Sequence, residues 1–137
     1  MKLITEELKQ RFAEVGDQSK DENPLVIAKF FYELTYTTWY ATAYYPETNT
    51  CWGYVYAIDR KPGNLKPKFA EWVPFSIDEL ESLKGIPKIP DIERDLNFKE
   101  IRFNELRELL ERERLKELEE FEQLKKILRE QDDDLEY

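Results

Sequence analysis

The sequence predicts an α+β fold: a small antiparallel sheet of about four strands with flanking helices and a long projecting C-terminal helix. Between residues 25 and 75, short segments rich in β-branched and aromatic residues alternate with turn residues. Helical spacing of apolar residues flanks this region on both sides. Residues 104–131 contain no Pro or Gly and are densely charged. The predicted organisation is therefore an α+β domain over 1–103, a long amphipathic helix over 104–131 and an acidic tail over 132–137.

Two short helices are predicted beside the sheet. Thr5 is a good N-cap residue, and Gly16 suits the position after a helix, so the segment between them is expected to be helical. Its apolar face consists of Leu8, Phe12 and Val15. Ser76 and Glu79 have the spacing of a capping box, which predicts a second helix ending at Gly85.

Four strands are predicted, over residues 25–32, 39–45, 51–58 and 69–75. Turn residues at 46–49 join the second and third strands into a hairpin. Gly53 indicates a bulge or a close backbone approach, and Pro74 indicates an edge strand or the end of a strand. Alternation along the second strand places Trp39, Ala41 and Ala43 on one face and Tyr40, Thr42 and Tyr44 on the other.

The C-terminal segment is predicted to be one straight helix, with Asn104 as its N-cap. Leu106, Leu109 and Leu110 recur after 18 residues as Leu124, Ile127 and Leu128, on the same face as Phe121. Because a coiled coil would repeat after seven residues, this spacing does not indicate one.

This helix is expected to extend past the domain. About 27 residues span roughly 40 Å, whereas a domain of 100 residues has a radius of gyration of about 13 Å. The first apolar cluster can pack on the parent sheet, and the second is predicted to bind another chain. Pairs such as Glu108–Arg112 and Glu122–Lys126 would support the free part of the helix. We therefore predict a homodimer, antiparallel and closed, with an interface formed by Leu118, Phe121, Leu124, Ile127 and Leu128.

Composition excludes several functional classes. The formal net charge is −9, so direct nucleic-acid binding through phosphate contacts is not expected. With no histidine and one cysteine, Cys51, the chain lacks imidazole chemistry and an internal disulfide. No signal peptide or membrane-spanning run is recognised, so a cytoplasmic location without membrane contact is expected.

Two groups of residues are candidates for a site. The carboxylates of Asp59, Glu71, Glu93 and Asp95 lie in or near loops, but they lack a recognisable metal-binding spacing, and structural ion pairs are favoured. No catalytic residue, metal ligand or cofactor is therefore predicted. Aromatic and basic side chains form a candidate partner surface, favoured over base stacking because the chain is acidic: Tyr40, Tyr44, Tyr45, Arg60, Lys61 and Trp72.

Several segments resemble the bacterial domain of unknown function family 2958. In order within residues 1–103, they are MKLITEEL, AKFFY, TWYATAYYPET, CWGYV, FSIDELESLKG and IERDLNF. Residues 71–75, EWVPF, depart from a family segment that reads like ELGYF, and the loop before them is longer. The resemblance implies a small α+β domain, often encoded on mobile elements, with no assigned activity. It leaves the helix from Asn104 outside the similar region.

These observations favour a non-enzymatic accessory protein that dimerises through its C-terminal helix and binds a larger protein. By analogy with the mobile-element association, the partner is expected in a nucleic-acid-processing or antiviral defence complex such as a CRISPR effector. An acidic DNA mimic that inhibits a DNA-binding protein is the alternative, although Lys and Arg along the helix weaken it. A metal-dependent hydrolase is the weaker alternative.

Overall fold

The protein is built on a five-stranded antiparallel sheet, as described by a computed structural model that covers residues 2–60 and 65–134. In chain order the elements are α1 (Glu6–Val15), β1 (Leu25–Val26), β2 (Ala28–Tyr32), β3 (Thr37–Tyr45), β4 (Thr50–Ile58), β5 (Pro67–Ser76), α2 (Ile77–Glu81), β6 (Glu93–Arg94), β7 (Ile101–Arg102) and α3 (Phe103–Asp134). The strand order of the main sheet is β5-β4-β3-β2-β6, and β1 and β7 form a separate two-stranded sheet. The predicted α+β class is confirmed.

The predicted first strand is two strands. Leu25 pairs with Arg102 of β7, whereas Ala28 pairs with Ala41 of β3. Between them, Ile27 donates its N–H to the carbonyl of Ala41 at 2.9 Å. The chain changes partner at this residue, so that β1 pairs with the segment that leads into α3. The fifth strand of the sheet is β6, which pairs with β2 and is not among the four predicted strands.

A bulge in β3 overturns the predicted alternation. Ala41 lies opposite Gly53 and Ala43 lies opposite Trp52, so Thr42 is an extra residue. Cross-strand neighbours share a face, and the bulge therefore places Ala43 on the face of Tyr40. Tyr44 instead packs with Trp39 and Ala41.

The predicted N-caps hold at both short helices, but α2 ends at Glu81 rather than at Gly85. The Thr5 hydroxyl accepts from the N–H of Leu8 at 3.2 Å, and Gly16 ends α1 with φ of 81°. The Ser76 hydroxyl likewise accepts from the N–H of Glu79 at 3.2 Å. The predicted edge position of the strand that contains Pro74 is also confirmed, since β5 borders the sheet.

The sheet has a core on each face. On one face, α1 and α2 pack over β2 to β5; the largest fully buried side chains there are Phe30, Leu3, Ile4, Ile77 and Ile92. On the other face, the first turns of α3 cover a second cluster that consists of Val26, Tyr40, Tyr56, Phe103 and Leu106. The sheet is thus covered by helices on both sides.

The N-terminus of α3 is capped by a distant residue. The helix begins at Phe103, whose N–H donates to the carbonyl of Pro24 at 2.9 Å. Asn104 is inside the first turn rather than at the N-cap, and its N–H donates to Oδ1 of Asn23 at 2.9 Å. Pairing of β1 with β7 brings these residues together. At its other end α3 reaches Asp134, so the predicted tail begins within the helix, and residues 135–137 lie outside the described part of the chain.

Candidate functional site

The aromatic face of the sheet is covered by the first part of α3. Its docking face, defined as Phe103, Leu106 and Leu110, lies over the tyrosines of β3 and β4. The Phe103 ring contacts Tyr54 and Trp72 edge-on, with centroid distances of 4.9 and 4.7 Å. These edge-to-face contacts add to the apolar burial. The face is therefore a core rather than an open platform for stacking bases.

The six residues of the candidate partner surface do not form one surface. Tyr40 is 3% exposed beneath α3, so its predicted surface position is wrong. Trp72 is half-buried between Trp52 and Phe103. Tyr45 ends β3 beside the 46–49 turn, whereas Arg60 follows the far end of β4. Nine strand residues separate these ends by about 30 Å. Lys61 lies outside the described residues.

Tyr44 and Tyr45 have structural partners. The Tyr44 hydroxyl donates to Oδ1 of Asn49 at 2.7 Å, and its ring contacts Phe12 of α1. The Tyr45 hydroxyl donates to Oδ1 of Asp17 at 2.8 Å. This hydrogen bond lowers the pKa of Asp17, after the larger effect of the backbone N–H of Ser19. Both tyrosines thus fix the loops beside α1.

Burial makes several phenols of the sheet, and its one thiol, weaker acids. It raises the pKa of Tyr40, Tyr54 and Tyr56 above the usual phenol value. It also raises the pKa of the Cys51 thiol, whose residue is fully buried. Such a thiol is inert in the folded state, which makes Cys51 a useful reporter of unfolding.

The loop carboxylates are dispersed. Glu71 is on β5 and Glu93 is on β6, at opposite edges of the sheet. Four interstrand spacings place them about 19 Å apart. Asp95 accepts from the N–H of Asn97 at 2.9 Å and lies 3.8 Å from the Lys29 ammonium. Within residues 2–60 and 65–134, three or more potential metal-ligating residues do not gather at any point.

Ion pairs run along α3, but with a different spacing from the predicted one. Arg114 donates to Glu111 at 2.6 Å, and Lys125 lies 3.4 Å from Glu122. These are i,i+3 pairs rather than the expected i,i+4 pairs Glu108–Arg112 and Glu122–Lys126. The Arg114 hydrogen bond lowers the pKa of Glu111. Acidic side chains of this helix are thus partly neutralised by cations of the same helix.

A further ion pair marks the place where α3 leaves the domain. Arg60 Nη1 lies 2.6 Å from Glu117 Oε2, and the guanidinium lies over the Tyr36 ring at 5.2 Å. Among the described side chains, Glu117 is the most distal residue of α3 with an ion pair to the sheet domain. Sequence reasoning missed this contact, because i,i+3 and i,i+4 spacing gives no signal for a pair 57 residues apart.

Beyond Glu117, apolar side chains remain exposed. The distal patch is defined as Leu118, Phe121, Leu124, Ile127 and Leu128. Leu124, Ile127 and Leu128 are each 52% exposed, and Leu118 and Phe121 are partly buried. Lys125 lies over the Phe121 ring at 5.4 Å. Apolar side chains on an otherwise charged helix are typical of a surface that binds protein.

The distal patch lies on the same side of α3 as the docking face. Phe121, Leu124 and Leu128 follow Phe103, Leu106 and Leu110 by 18 residues each, which is five full turns of a helix. One stripe therefore packs on the sheet over its first part and faces solvent over its second. Among the described helices, none is long and apolar enough to cross a membrane.

Comparison with known proteins gives one family. The family model described as "Protein of unknown function (DUF2958)" matches residues 3–115. Neither the curated proteins nor the solved structures contain a match. The match extends into α3 as far as residue 115, so the first part of the helix belongs to the family module, contrary to the boundary expected at Asn104. The chain is thus a member of the DUF2958 family of proteins of unknown function.

Proposed function

We propose that this protein is a non-enzymatic interaction protein that dimerises through the distal patch of α3 and binds a larger protein. The observation that carries the proposal is the exposure of Leu124, Ile127 and Leu128, on a helix already anchored by its first turns. Over 32 residues α3 spans about 48 Å. The distal patch thus lies beyond the reach of its own sheet, and a second copy supplies an identical apolar surface.

The domain carries further surface for the larger protein. At the turn between β2 and β3, Leu34 and Tyr36 are 56% and 55% exposed, and Arg60 lies over the Tyr36 ring. Aromatic and Arg side chains are enriched at binding hot spots. The class of partner, a nucleic-acid-processing or defence complex such as a CRISPR effector, rests on the family resemblance alone.

Mutation of the distal patch tests self-association. Replacing Phe121, Leu124, Ile127 and Leu128 by Ser removes the apolar surface, so the mass from light scattering at micromolar concentration should fall from twice 16.6 kDa to 16.6 kDa. Leu115→Ser is the matched control, because Leu115 is 51% exposed on another side of α3. The control should leave the dimer intact.

Two outcomes would contradict this account. A monomeric mass for the unmodified chain removes dimerisation. Rapid labelling of Cys51 by iodoacetamide in the quadruple variant would show that the domain has unfolded, and the distal patch would then belong to the core. The expected result is a folded monomer in which Cys51 stays protected.

The DNA-mimic alternative makes the opposite prediction about salt. A mimic binds through charge, so capture of its partner should collapse between about 50 and 500 mM salt, where screening shortens from roughly 14 to 4 Å. A partner anchored by apolar and aromatic contacts should persist. The cations paired with Glu111, Glu117 and Glu122 favour the second result, since a mimic needs an unbroken negative row. Capture that survives only at low salt would favour mimicry.

A further inference from the structure

We propose that the two copies pair in antiparallel register, with the two-fold axis between Leu124 and Lys125 and with the end of each α3 against the partner's sheet domain. This inference rests on the proposed dimerisation and adds its geometry. Three observations carry it. The docking face and the distal patch lie on the same side of α3, and only the distal patch is exposed. Arg60 contacts α3 at the point where the helix leaves the domain.

A parallel pair in register is sterically excluded. Helices in contact lie about 8–10 Å apart. If two distal patches faced each other in parallel, the two docking faces would also face each other, because both lie on one side of α3. That space already contains the sheet of each copy, packed on Phe103 and Leu106. Two intervening sheets at layer spacings of about 10 Å need roughly 30 Å between the helices.

An antiparallel pair avoids this clash. The partner helix then continues past the end of α3, and the partner's domain lies beyond that end. Leu118 lies to the side of the stripe that continues the docking face, so residues 121–128 set the axis, and superposing them on their reversed copy places Phe121 opposite Leu128 and Leu124 opposite Lys125. The pair is isologous and closed, with both distal patches covered. A staggered parallel arrangement would leave one patch free at each end and would continue into a filament.

The same register brings a carboxylate from each copy to one cation. Asp132 of one copy lies level with Glu117 of the other, because both are the same distance from the axis, and Arg60 offsets the repulsion between these two like charges. Glu117 is where Arg60 contacts α3, at 2.6 Å. Arg60 follows β4, and the backbone of Asp59 bonds to that of exposed Lys66 on the return segment. The acidic end of each helix thus meets the basic end of the partner's β4–β5 hairpin.

Distance measurement between spin labels tests the orientation without altering the distal patch. Glu105 is exposed in the first turn of α3, and Glu105→Cys accepts a nitroxide while buried Cys51 does not. In the antiparallel register the two labels are offset by 39 residues, or about 60 Å along the helix axis. If the two labels lay side by side, the distance between them would be roughly 10 Å, the spacing of two helix axes in contact. That result would overturn the antiparallel register.

Disulfide formation provides a second measurement. Mixed Phe121→Cys and Leu128→Cys chains should cross-link to each other, and neither should cross-link alone, because like positions are offset by about 10 Å and a disulfide needs Cα atoms within about 7 Å. Cross-linking of Phe121→Cys alone overturns the register while leaving dimerisation intact. A monomeric mass for the unmodified chain overturns the proposed function itself, so the two failures are distinguishable.

Discussion

At the scale of single residues, the centre of the sheet depends on one close backbone contact. Gly53 lies opposite Ala41, just before the bulge at Thr42. A Cβ at Gly53 would lie 2.1 Å from the Tyr40 carbonyl oxygen, a backbone atom that cannot rotate away. The bulge is stabilised on both sides: the Thr42 hydroxyl donates to the Trp52 carbonyl at 3.2 Å, and Gln18 donates to the Thr42 carbonyl at 2.8 Å.

Substitution of Gly53 should therefore be costly. Gly53→Ala forces β3 and β4 apart where Tyr40 is buried, and we expect the free energy of unfolding to fall by about 3 kcal/mol or more. Urea denaturation followed by tryptophan fluorescence measures the change. Gly16→Ala is the matched control: its φ of 81° strains an Ala, but nothing lies within 4 Å of the added Cβ. Because its ψ is −170°, Gly16 lies in a region that other residues rarely adopt, and a cost of about 1–3 kcal/mol is expected there. Equal costs at the two positions would refute the steric account.

Gln18 shows how a polar side chain can be part of a core. It is buried, and its amide accepts from the Leu25 N–H and donates to the carbonyls of Leu25 and Thr42, each at 2.8 Å. One side chain thus joins the loop after α1 to β1 and β3. A buried amide with its hydrogen bonds satisfied fixes a unique packing.

At the scale of elements, three predictions that depend only on neighbouring residues are confirmed. Thr5, Gly16 and Ser76 act within a few positions of themselves, so their roles can be read directly from the sequence. The bulge at Thr42 could not be predicted, because it depends on how β3 pairs with β4. The cap of α3 by Asn23 could not be predicted either, since the two residues are 81 positions apart.

The same distinction explains the outcome for the candidate surfaces. The apolar stripe of α3 is a periodic feature of one helix, and its residues could be identified without a structure. Whether Tyr40 faces solvent depends instead on which face of the sheet α3 covers. Alternation of side chains identifies the two faces of a strand, but not which element packs on each face. Tyr40 is therefore interior, while Leu34 and Tyr36, which lie in the turn between β2 and β3, are exposed.

At the scale of the whole molecule, α3 has two parts that meet near Glu117. The family match ends at residue 115, close to the Arg60–Glu117 contact. Up to this point the helix completes the core of the domain. The remaining part carries the distal patch. One continuous helix thereby fixes the direction in which that patch projects.

Truncation at two positions tests this division. A chain of residues 1–118 retains Phe103, Leu106 and Leu110, so the sheet should stay covered and Cys51 should stay protected from iodoacetamide. Its melting temperature should equal that of the full chain at low protein concentration, and should not rise with concentration as a dimer's does. Thermal melts followed by far-UV circular dichroism, recorded across a series of protein concentrations, measure the melting temperature and its dependence on concentration.

A chain of residues 1–102 is the opposing case. Removing the docking face uncovers Val26, Tyr40 and Tyr56, and each lost apolar contact of this size costs about 2–5 kcal/mol. Since domains of this size are stable by only about 5–15 kcal/mol, this truncation should unfold or aggregate. Unfolding of 1–118 as well would mean that the distal patch stabilises the domain, either by packing on it or by an obligate dimer. A folded 1–102 would mean that α3 is an appendage throughout. The contrast between the two truncations therefore locates the functional boundary inside a single helix, at the point where its apolar stripe leaves the sheet.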